Sequence, residues 1–298
     1  MLWVAAALIG AAAQTARNAA QSGLTRTIGT VGATQVRFLF GLPFACLFLG
    51  LVVGVSGQSV PIPGLTALGF TAAGAVAQIL ATALMLITLK SQNFAVTTAW
   101  LKTEPVLVAL ASAAVLGDHL SGGMLLAIGV ATAGVLVMTV KPQARGALLS
   151  DGRAVMTGLG AAALFGASAI GFRGGILALD QGDFLIRATT TLVVSLGLQT
   201  AMLLIWMAAF DRSALSASFG VWRHSLGAGF LGAFASQFWF IGFALTSAAN
   251  VRTLALIEVV MAQAVSSLFL GQKASTRQMI GMGIIILGVG ILFRLQRG

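Results

Sequence analysis

The chain has 298 residues, of which 58% are hydrophobic and 8% are charged, and its mean hydropathy is +0.99. A soluble domain carries about 25% charged residues, so this composition excludes a water-soluble globular protein and predicts an integral membrane protein. The net charge of +10 is spread singly between apolar runs, unlike the clustered charge of a nucleic-acid-binding surface. We therefore expect basic loops that face an anionic lipid leaflet and no nucleic-acid partner.

Ten apolar segments follow one another along the chain, and each is close to the roughly 20 residues that a helix needs to cross the hydrocarbon core. They span residues 2–22, 31–55, 64–89, 93–116, 121–140, 155–178, 184–210, 225–246, 249–270 and 277–295. The first lacks the positive region that precedes the apolar part of a signal peptide, so we expect it to remain as a helix. The sequence thus predicts an all-α integral membrane protein with ten transmembrane helices and no soluble domain.

Two of the first three segments carry polar residues where lipid would penalise them. In the first segment, Gln14 and Arg17 lie three residues apart on one helix face, so Arg17 either points into the protein or reaches the headgroups. In the third, Gln78 stands in an otherwise apolar run. Its amide can bind a substrate or can hydrogen-bond a neighbouring helix, and the pattern favours neither.

The fourth segment contains Trp100, Lys102, Glu104 and Pro105 close to its start. A carboxylate in a membrane helix costs about 2.5–3.5 kcal/mol unless it faces protein or water, and Pro105 predicts a break because it lacks a backbone donor. Trp100 and Glu104 share a helix face, whereas Lys102 points elsewhere and cannot pair with Glu104 within the helix. Glu104 is therefore a candidate for substrate binding or proton coupling, or the acid of a structural ion pair.

The two halves of the chain match each other when one is shifted along the other. A shift of 154 residues places Glu104 on Glu258, and a shift of 156 places Arg17 on Arg173. The shift of 154 also places Gly117 on Gly271, Asp118 on Gln272, Gly129 on Gly283 and Gly134 on Gly288, and the shift of 156 places Gly10 on Gly166. We interpret the chain as two copies of one unit.

Each copy contains five of the predicted helices. Because five is odd, the second copy must enter the membrane from the opposite side, which is an arrangement that transporters use for alternating access. The sequence predicts two inverted five-helix repeats around a central cavity, at residues 1–141 and 155–298, joined by a linker at 142–154.

The remaining candidate site residues lie in the second copy. The eighth helix carries Gln237 beside Trp239 and is the most aromatic helix, although only one or two of its rings can line a cavity. The candidate substrate-binding or coupling residues are Glu104, Glu258, Trp100, Arg17, Arg173, Gln78, Gln237 and Trp239, with Pro105 as the helix break.

The single cysteine and two histidines form no cluster with carboxylates, so we expect no metal and no other cofactor. No catalytic motif occurs, and we expect no enzyme.

The segment from Thr103 to Met138 resembles the signature of the EamA-like family in the drug/metabolite transporter superfamily. That family shows a Glu-Pro pair, a Leu-Gly-Glu element just beyond the helix end, and then a glycine-rich helix. The matching residues here are Glu104-Pro105, Leu116-Gly117-Asp118 with Asp in place of Glu, and Gly129 with Gly134. The second copy departs further, since Glu258 is followed by Val259 instead of proline.

The resemblance implies export of small metabolites or drugs by a secondary active transporter in the bacterial inner membrane. Arginines at 17, 173, 187 and 252, together with flat surfaces at Trp100 and Trp239, suit an amino acid or a related organic acid. A hydrophobic cationic drug would instead pair with Glu104 or Glu258. We expect a lipid-embedded monomer or homodimer, with proton coupling as an open question, and a channel or a structural subunit of a membrane complex as the alternatives from other classes.

Overall fold

The computed structural model describes residues 2–91, 100–140, 152–220, 222–270 and 274–296. In this part of the chain the regular structure is entirely helical. The helices are α1 Leu2–Leu39, α2 Leu42–Ser56, α3 Leu65–Ser91, α4 Glu104–Leu116, α5 Gly122–Thr139, α6 Gly152–Leu177, α7 Phe184–Phe210, α8 Arg212–Gly220, α9 Trp222–Leu245, α10 Ala248–Ala255, α11 Ile257–Leu270 and α12 Thr276–Leu295. Most of the predicted linker at 142–154 falls outside the described residues.

Seven helical stretches among the described residues are long and apolar enough to cross a membrane. They are Thr34–Ser56, Leu65–Met85, Gly122–Thr139, Val155–Leu177, Phe184–Phe210, Ser225–Leu245 and Thr276–Leu295. The helix at Glu104–Leu116 is apolar but shorter. The prediction of an all-helical membrane protein is confirmed at this level.

The first helix continues through the gap that the sequence predicted at about residues 23–30. It nevertheless bends, as the positions of two of its arginines show. Arg17 and Arg37 both lie beside Gly232: a Cβ atom on that glycine would be 3.7 Å from Cδ of Arg17 and 3.3 Å from Cγ of Arg37. A straight helix would separate residues 17 and 37 by about 30 Å. The change of direction expected from the sequence therefore occurs within α1.

The described helices form two compact units, each of which combines segments from both halves of the sequence. The first unit contains Met1–Ile79 and Gly171–Thr246, and the second contains Leu80–Ile170 and Ser247–Gly298. The unit boundaries at residues 79 and 170 fall inside α3 and α6.

In the first unit, small residues allow helices to approach closely. A Cβ atom on Gly10 of α1 would be 3.2 Å from the Trp239 ring of α9, and one on Gly171 of α6 would be 2.7 Å from Cα of Gly74 in α3. Membrane helices gain little from hydrophobic association, so such close backbone contacts are a main source of their packing energy.

In the second unit, α5 and α12 pack against each other in opposite directions. A Cβ atom on Gly134 would be 2.7 Å from the Ile285 backbone nitrogen, and one on Gly288 would be 2.5 Å from the Ala131 backbone nitrogen. Near one end of the contact, a Cβ on Gly123 would be 3.0 Å from Leu295. As residue numbers rise along α5 they fall along α12, so the two helices are antiparallel.

The α5–α12 contact is reciprocal under the 154-residue shift. That shift places Gly134 on Gly288 and Ala131 on Ile285, so the contact of Gly134 with Ile285 becomes the contact of Gly288 with Ala131. Both helices also begin at equivalent serines: Ser121 accepts a hydrogen bond from the Met124 backbone at 3.2 Å, and Ser275 from the Gln278 backbone at 3.3 Å. Reciprocal contacts of this kind are the mark of a two-fold relation between two similar elements.

Candidate functional site

Two ion pairs join residues of the two sequence halves within the second unit. Nε of Arg252 lies 2.9 Å from Oε1 of Glu104, without the alignment of a hydrogen bond. Nζ of Lys102 donates to Oε1 of Glu258. The pairs are crossed, because each glutamate contacts a cation that precedes the other glutamate in the chain. All four side chains are between 14% and 20% exposed.

Each of these glutamates directly follows an interruption of a helix. Helix α4 begins at Glu104 after a turn at Lys102 and Thr103, and a turn at Leu256 separates α10 from α11, whose second residue is Glu258. The 154-residue shift places Lys102 on Leu256, so the interruptions occur at equivalent positions. The second one needs no proline.

The helix ends explain why the carboxylates are tolerated there. Glu104 and Glu258 lie in the first turns of α4 and α11, and Arg252 lies in the last turn of α10. The partial positive charge at a helix N-terminus stabilises an anion, and the partial negative charge at a C-terminus stabilises a cation. Pro105 is in the first turn of α4, where a missing N–H loses no intrahelical bond.

Trp100 lies two residues before Lys102 in the chain. Its backbone carbonyl accepts a hydrogen bond of 2.7 Å from the Thr103 hydroxyl, and its side chain packs on Gly158, where a Cβ atom would be 2.7 Å from Cβ of Trp100. The indole Nε1 is buried and has no acceptor among the residues that the structure describes.

The sequence did not identify the partners of the two glutamates. It predicted that Lys102 cannot pair with Glu104 within one helix, and in the structure Glu104 pairs with Arg252 instead. No spacing rule for helices finds such pairs, because their members come from different halves of the chain. The one feature of the sequence that could have indicated these pairs is a basic residue within six positions before each glutamate.

In the first unit, the two predicted arginines lie close to backbone atoms. Nη1 of Arg173 donates to the carbonyls of Phe243 and Thr246, at 2.6 and 2.5 Å. Both carbonyls lie at the C-terminal end of α9, and the last turn of a helix has carbonyls that no donor of that helix reaches. Arg17 is buried beside Gly232 of the same helix. Arg173 thus caps a helix C-terminus, where a cation is favoured.

The predicted glutamines and Trp239 form hydrogen bonds between helices of the first unit. The three bonds are Trp239 Nε1 to Gln14 Oε1 at 3.1 Å, Gln199 Nε2 to Gln78 Oε1 at 2.6 Å, and Gln237 Nε2 to Thr189 Oγ1 at 2.8 Å. Contacts between helices are one of the two roles that the sequence left open for these amides. Trp239 itself is 6% exposed and packs in the core.

Comparison with solved structures shows that the fold is shared with another protein. The chain is similar to one determined by crystallography, with a TM-score of 0.70 and 16% sequence identity over 98% of each chain. At this identity the likeness concerns the fold alone. Among curated proteins, none matches the chain by sequence.

Comparison with family models identifies the second half of the chain. The model described as the EamA-like transporter family matches residues 152–294, which include α6 to α11, all but the last residue of α12, and therefore Glu258 and Arg252. The resemblance found in the first half around Glu104 points to the same family. Residues 152–294 belong to the EamA-like transporter family, part of the drug/metabolite transporter superfamily, as the sequence predicted.

Proposed function

We propose that the protein is a secondary active transporter that exports a small metabolite, of the amino-acid or organic-acid type, across the bacterial inner membrane by alternating access. The single observation that carries this proposal is the crossed arrangement of the two ion pairs, Glu104 with Arg252 and Lys102 with Glu258, beside two helix interruptions. Discontinuous helices with charged residues at the break form the substrate sites of many secondary transporters.

The crossed pairs suit a conformational change between the halves of the sequence. Lys102 and Glu104 belong to the first half, and Arg252 and Glu258 to the second. A shift of the segment from Lys102 to Glu104 against α10 and α11 would separate these pairs, and an unpaired charge at low exposure is costly. A ligand that supplies replacement charges offsets this cost, so its binding favours the rearranged state.

The charges of the site favour a substrate that is itself anionic or zwitterionic. A carboxylate can replace a glutamate on Arg252 or Lys102, and an ammonium group can replace a cation on Glu104 or Glu258, so a zwitterion provides new partners for both members of one separated ion pair. A purely cationic drug would have to displace Arg252 or Lys102 without providing them with a new partner. Efflux of cations is therefore the second candidate.

The packing of α5 against α12 supports inverted repeats as the underlying architecture. The two helices are equivalent in sequence, antiparallel, and joined by reciprocal contacts at Gly134 and Gly288. An antiparallel two-fold relation is what two oppositely inserted copies produce. We therefore retain ten transmembrane helices in two five-helix repeats, 1–141 and 155–298, as part of the proposal.

Proton coupling through Glu104 and Glu258 extends the same proposal. Protonation of either glutamate removes the attraction to its cation, so proton binding and the opening of a pair would be linked. In this scheme the inward proton movement drives the outward movement of substrate.

The test is transport by the purified protein in liposomes, after a thermal-shift screen of amino acids, organic acids, nucleosides and cationic dyes has identified a ligand. We expect saturable flux of that ligand that increases with an imposed proton gradient. Glu104→Gln and Glu258→Gln should each abolish the response to the gradient, whereas Asp180→Asn, which neutralises an exposed carboxylate, should transport normally. Flux that does not saturate would indicate a channel, and full gradient-driven flux in both glutamate variants would rule out the proposed coupling.

A further inference from the structure

The two crossed ion pairs of the second unit differ in chemistry and in geometry. The ammonium group of Lys102 can give up a proton, whereas the guanidinium group of Arg252 stays charged in proteins. Nζ of Lys102 donates a hydrogen bond to Oε1 of Glu258. By contrast, Oε1 of Glu104 lies 2.9 Å from Nε of Arg252 but accepts no hydrogen bond from the residues that the structure describes. Only the first of these pairs combines a transferable proton with a hydrogen bond along which it can move.

Lys102 and Glu258 can therefore separate without remaining charged. Transfer of one proton breaks an N–H bond of Lys102 and forms an O–H bond on Glu258, so that an ammonium and a carboxylate become a neutral amine and a neutral carboxylic acid. No other group gains or loses a proton in this step. The two side chains are 20% and 16% exposed, and at such low exposure neutral groups are far less costly to separate than ions.

Glu104 and Arg252 have no such route. Arg252 cannot supply a proton, so a separation of the pair takes the counter-charge of Glu104 away from a guanidinium that is 14% exposed. Glu104 also interacts electrostatically with Lys102 and Glu258, but the proton transfer between those two removes both interactions together. The replacement charges must hence come from a ligand, with an anion for Arg252 and a cation for Glu104.

We propose that the carboxylate of the substrate binds Arg252 and its ammonium group binds Glu104, while Lys102 and Glu258 separate as a neutral pair. This assignment rests on the proposed function, from which it takes the zwitterionic substrate and the shift that opens the pairs. One zwitterion supplies one anion and one cation, so it can provide new partners for one ion pair only. A guanidinium group also suits a carboxylate better than an ammonium group does, because its planar fork can bind both oxygens.

Two double variants test the assignment, because each removes one ion pair and leaves the net charge unchanged. They are Arg252→Met/Glu104→Gln and Lys102→Met/Glu258→Gln, with Asp180→Asn at an exposed position as the control. Equilibrium binding of a radiolabelled mixture of the common amino acids is measured in lipid nanodiscs. We expect the first variant to lose at least about tenfold in affinity, the effect of one charge-assisted hydrogen bond. The second should bind within about threefold of the unchanged protein and lose the response of transport to a proton gradient.

A charge-conserving variant distinguishes this role from a structural one. Lys102→Arg keeps the ion pair but removes the transferable proton, so the separated groups remain ions. We expect Lys102→Arg to exchange amino acids across preloaded liposomes at least about tenfold more slowly than Lys102→Met/Glu258→Gln, which corresponds to a modest rise in the barrier. A pair that only supports the fold would give the opposite order, because the double variant lacks it.

The outcomes separate this assignment from the proposed function. If the unchanged protein binds the mixture but both double variants lose affinity equally, or Lys102→Met/Glu258→Gln loses more, the assignment is overturned and the zwitterionic substrate stands. The opposite order of exchange rates would also overturn it, and this comparison does not require Arg252→Met/Glu104→Gln to fold. If the unchanged protein binds none of the mixture, the zwitterionic substrate of the proposed function is refuted, and the assignment with it.

Discussion

The charged residues of the second unit are positioned by helix ends as much as by their partners. Glu104 and Glu258 occupy first turns, and Arg252 occupies a last turn, so the backbone dipoles of three short helices favour each charge where it lies. In each ion pair, the charge of the glutamate is balanced by the charge of its cation. Removal of a single member therefore leaves a partner whose desolvation is no longer offset.

The first prediction concerns the pair of Glu104 and Arg252. Glu104→Gln should lower the free energy of unfolding by about 1–3 kcal/mol, below the full cost of breaking a buried pair because both side chains retain some exposure. The double variant Glu104→Gln/Arg252→Gln should recover part of this loss, because no charge is then left without a partner. Thermal unfolding in detergent measures both effects. A single variant as stable as the unchanged protein would show that the pair contributes nothing to folding.

The second prediction concerns Asp183, which caps the N-terminus of α7 outside its membrane-spanning stretch. Its carboxylate accepts the backbone N–H groups of Ile186 at 2.9 Å and Leu185 at 3.0 Å, and chiefly the bond from Ile186 holds the pKa of Asp183 below its usual value. Asp183→Ala should therefore destabilise the protein by about 1 kcal/mol near neutral pH.

The pH dependence of this cap has a definite sign. A lowered pKa in the folded state gives stability that is complete above the unfolded-state pKa of about 3.9 and is lost as the pH falls through the folded value. The difference in melting temperature between the protein and Asp183→Ala should hence be constant from about pH 8 to 5 and shrink in stronger acid. A difference that grows on acidification would contradict the assigned cap.

Helix packing in both units depends on glycines at particular crossing points and not on glycine content. Along α5 and α12, Gly134 and Gly288 meet backbone atoms of the opposite helix, whereas a Cβ atom on Gly129 or Gly283 would have no neighbour within 4 Å. The two kinds of glycine alternate on the same helices and are matched by the 154-residue shift. Their sequence signal is identical, so only the contacts distinguish them.

The third prediction uses this contrast. Gly134→Ala and Gly288→Ala should each destabilise the protein by about 1–3 kcal/mol, because the added methyl group forces the two backbones apart. Gly129→Ala and Gly283→Ala should be neutral or stabilising by up to about 1 kcal/mol, since alanine has the higher helix propensity. Thermal denaturation of the four variants under the same conditions measures these differences in stability. Similar effects in both pairs would mean that α5 and α12 do not cross at these glycines.

For the whole molecule, the central proposal is that the two halves of the chain enter the membrane from opposite sides. The equivalent serine caps at Ser121 and Ser275 and the reciprocal contacts of α5 with α12 support it locally. Oppositely inserted copies permit two states of similar energy, one open to each side, because an exchange of the roles of the copies converts one state into the other. Such near-equality of the two states is what alternating access requires.

The fourth prediction tests this topology directly. Gly122→Cys and Thr276→Cys occupy equivalent, exposed first positions of α5 and α12, and each is introduced after Cys46, the single natural cysteine, is replaced by serine. A membrane-impermeant thiol reagent applied to sealed vesicles of known orientation should label one variant and leave the other unlabelled until the membrane is opened. Labelling of both variants from the same side would exclude inverted repeats.

The sequence by itself determined the membrane environment and the helical class of this protein, and its resemblance to the EamA-like family. Long apolar runs can satisfy their backbone groups in lipid only as helices, and Glu104 and Glu258 were detectable because a carboxylate in such a run is rare. The tertiary structure decided the pairing. Which cation faces which glutamate and which glycines are crossing points depend on contacts between distant segments, whereas sequence periodicity reports only neighbours along one helix.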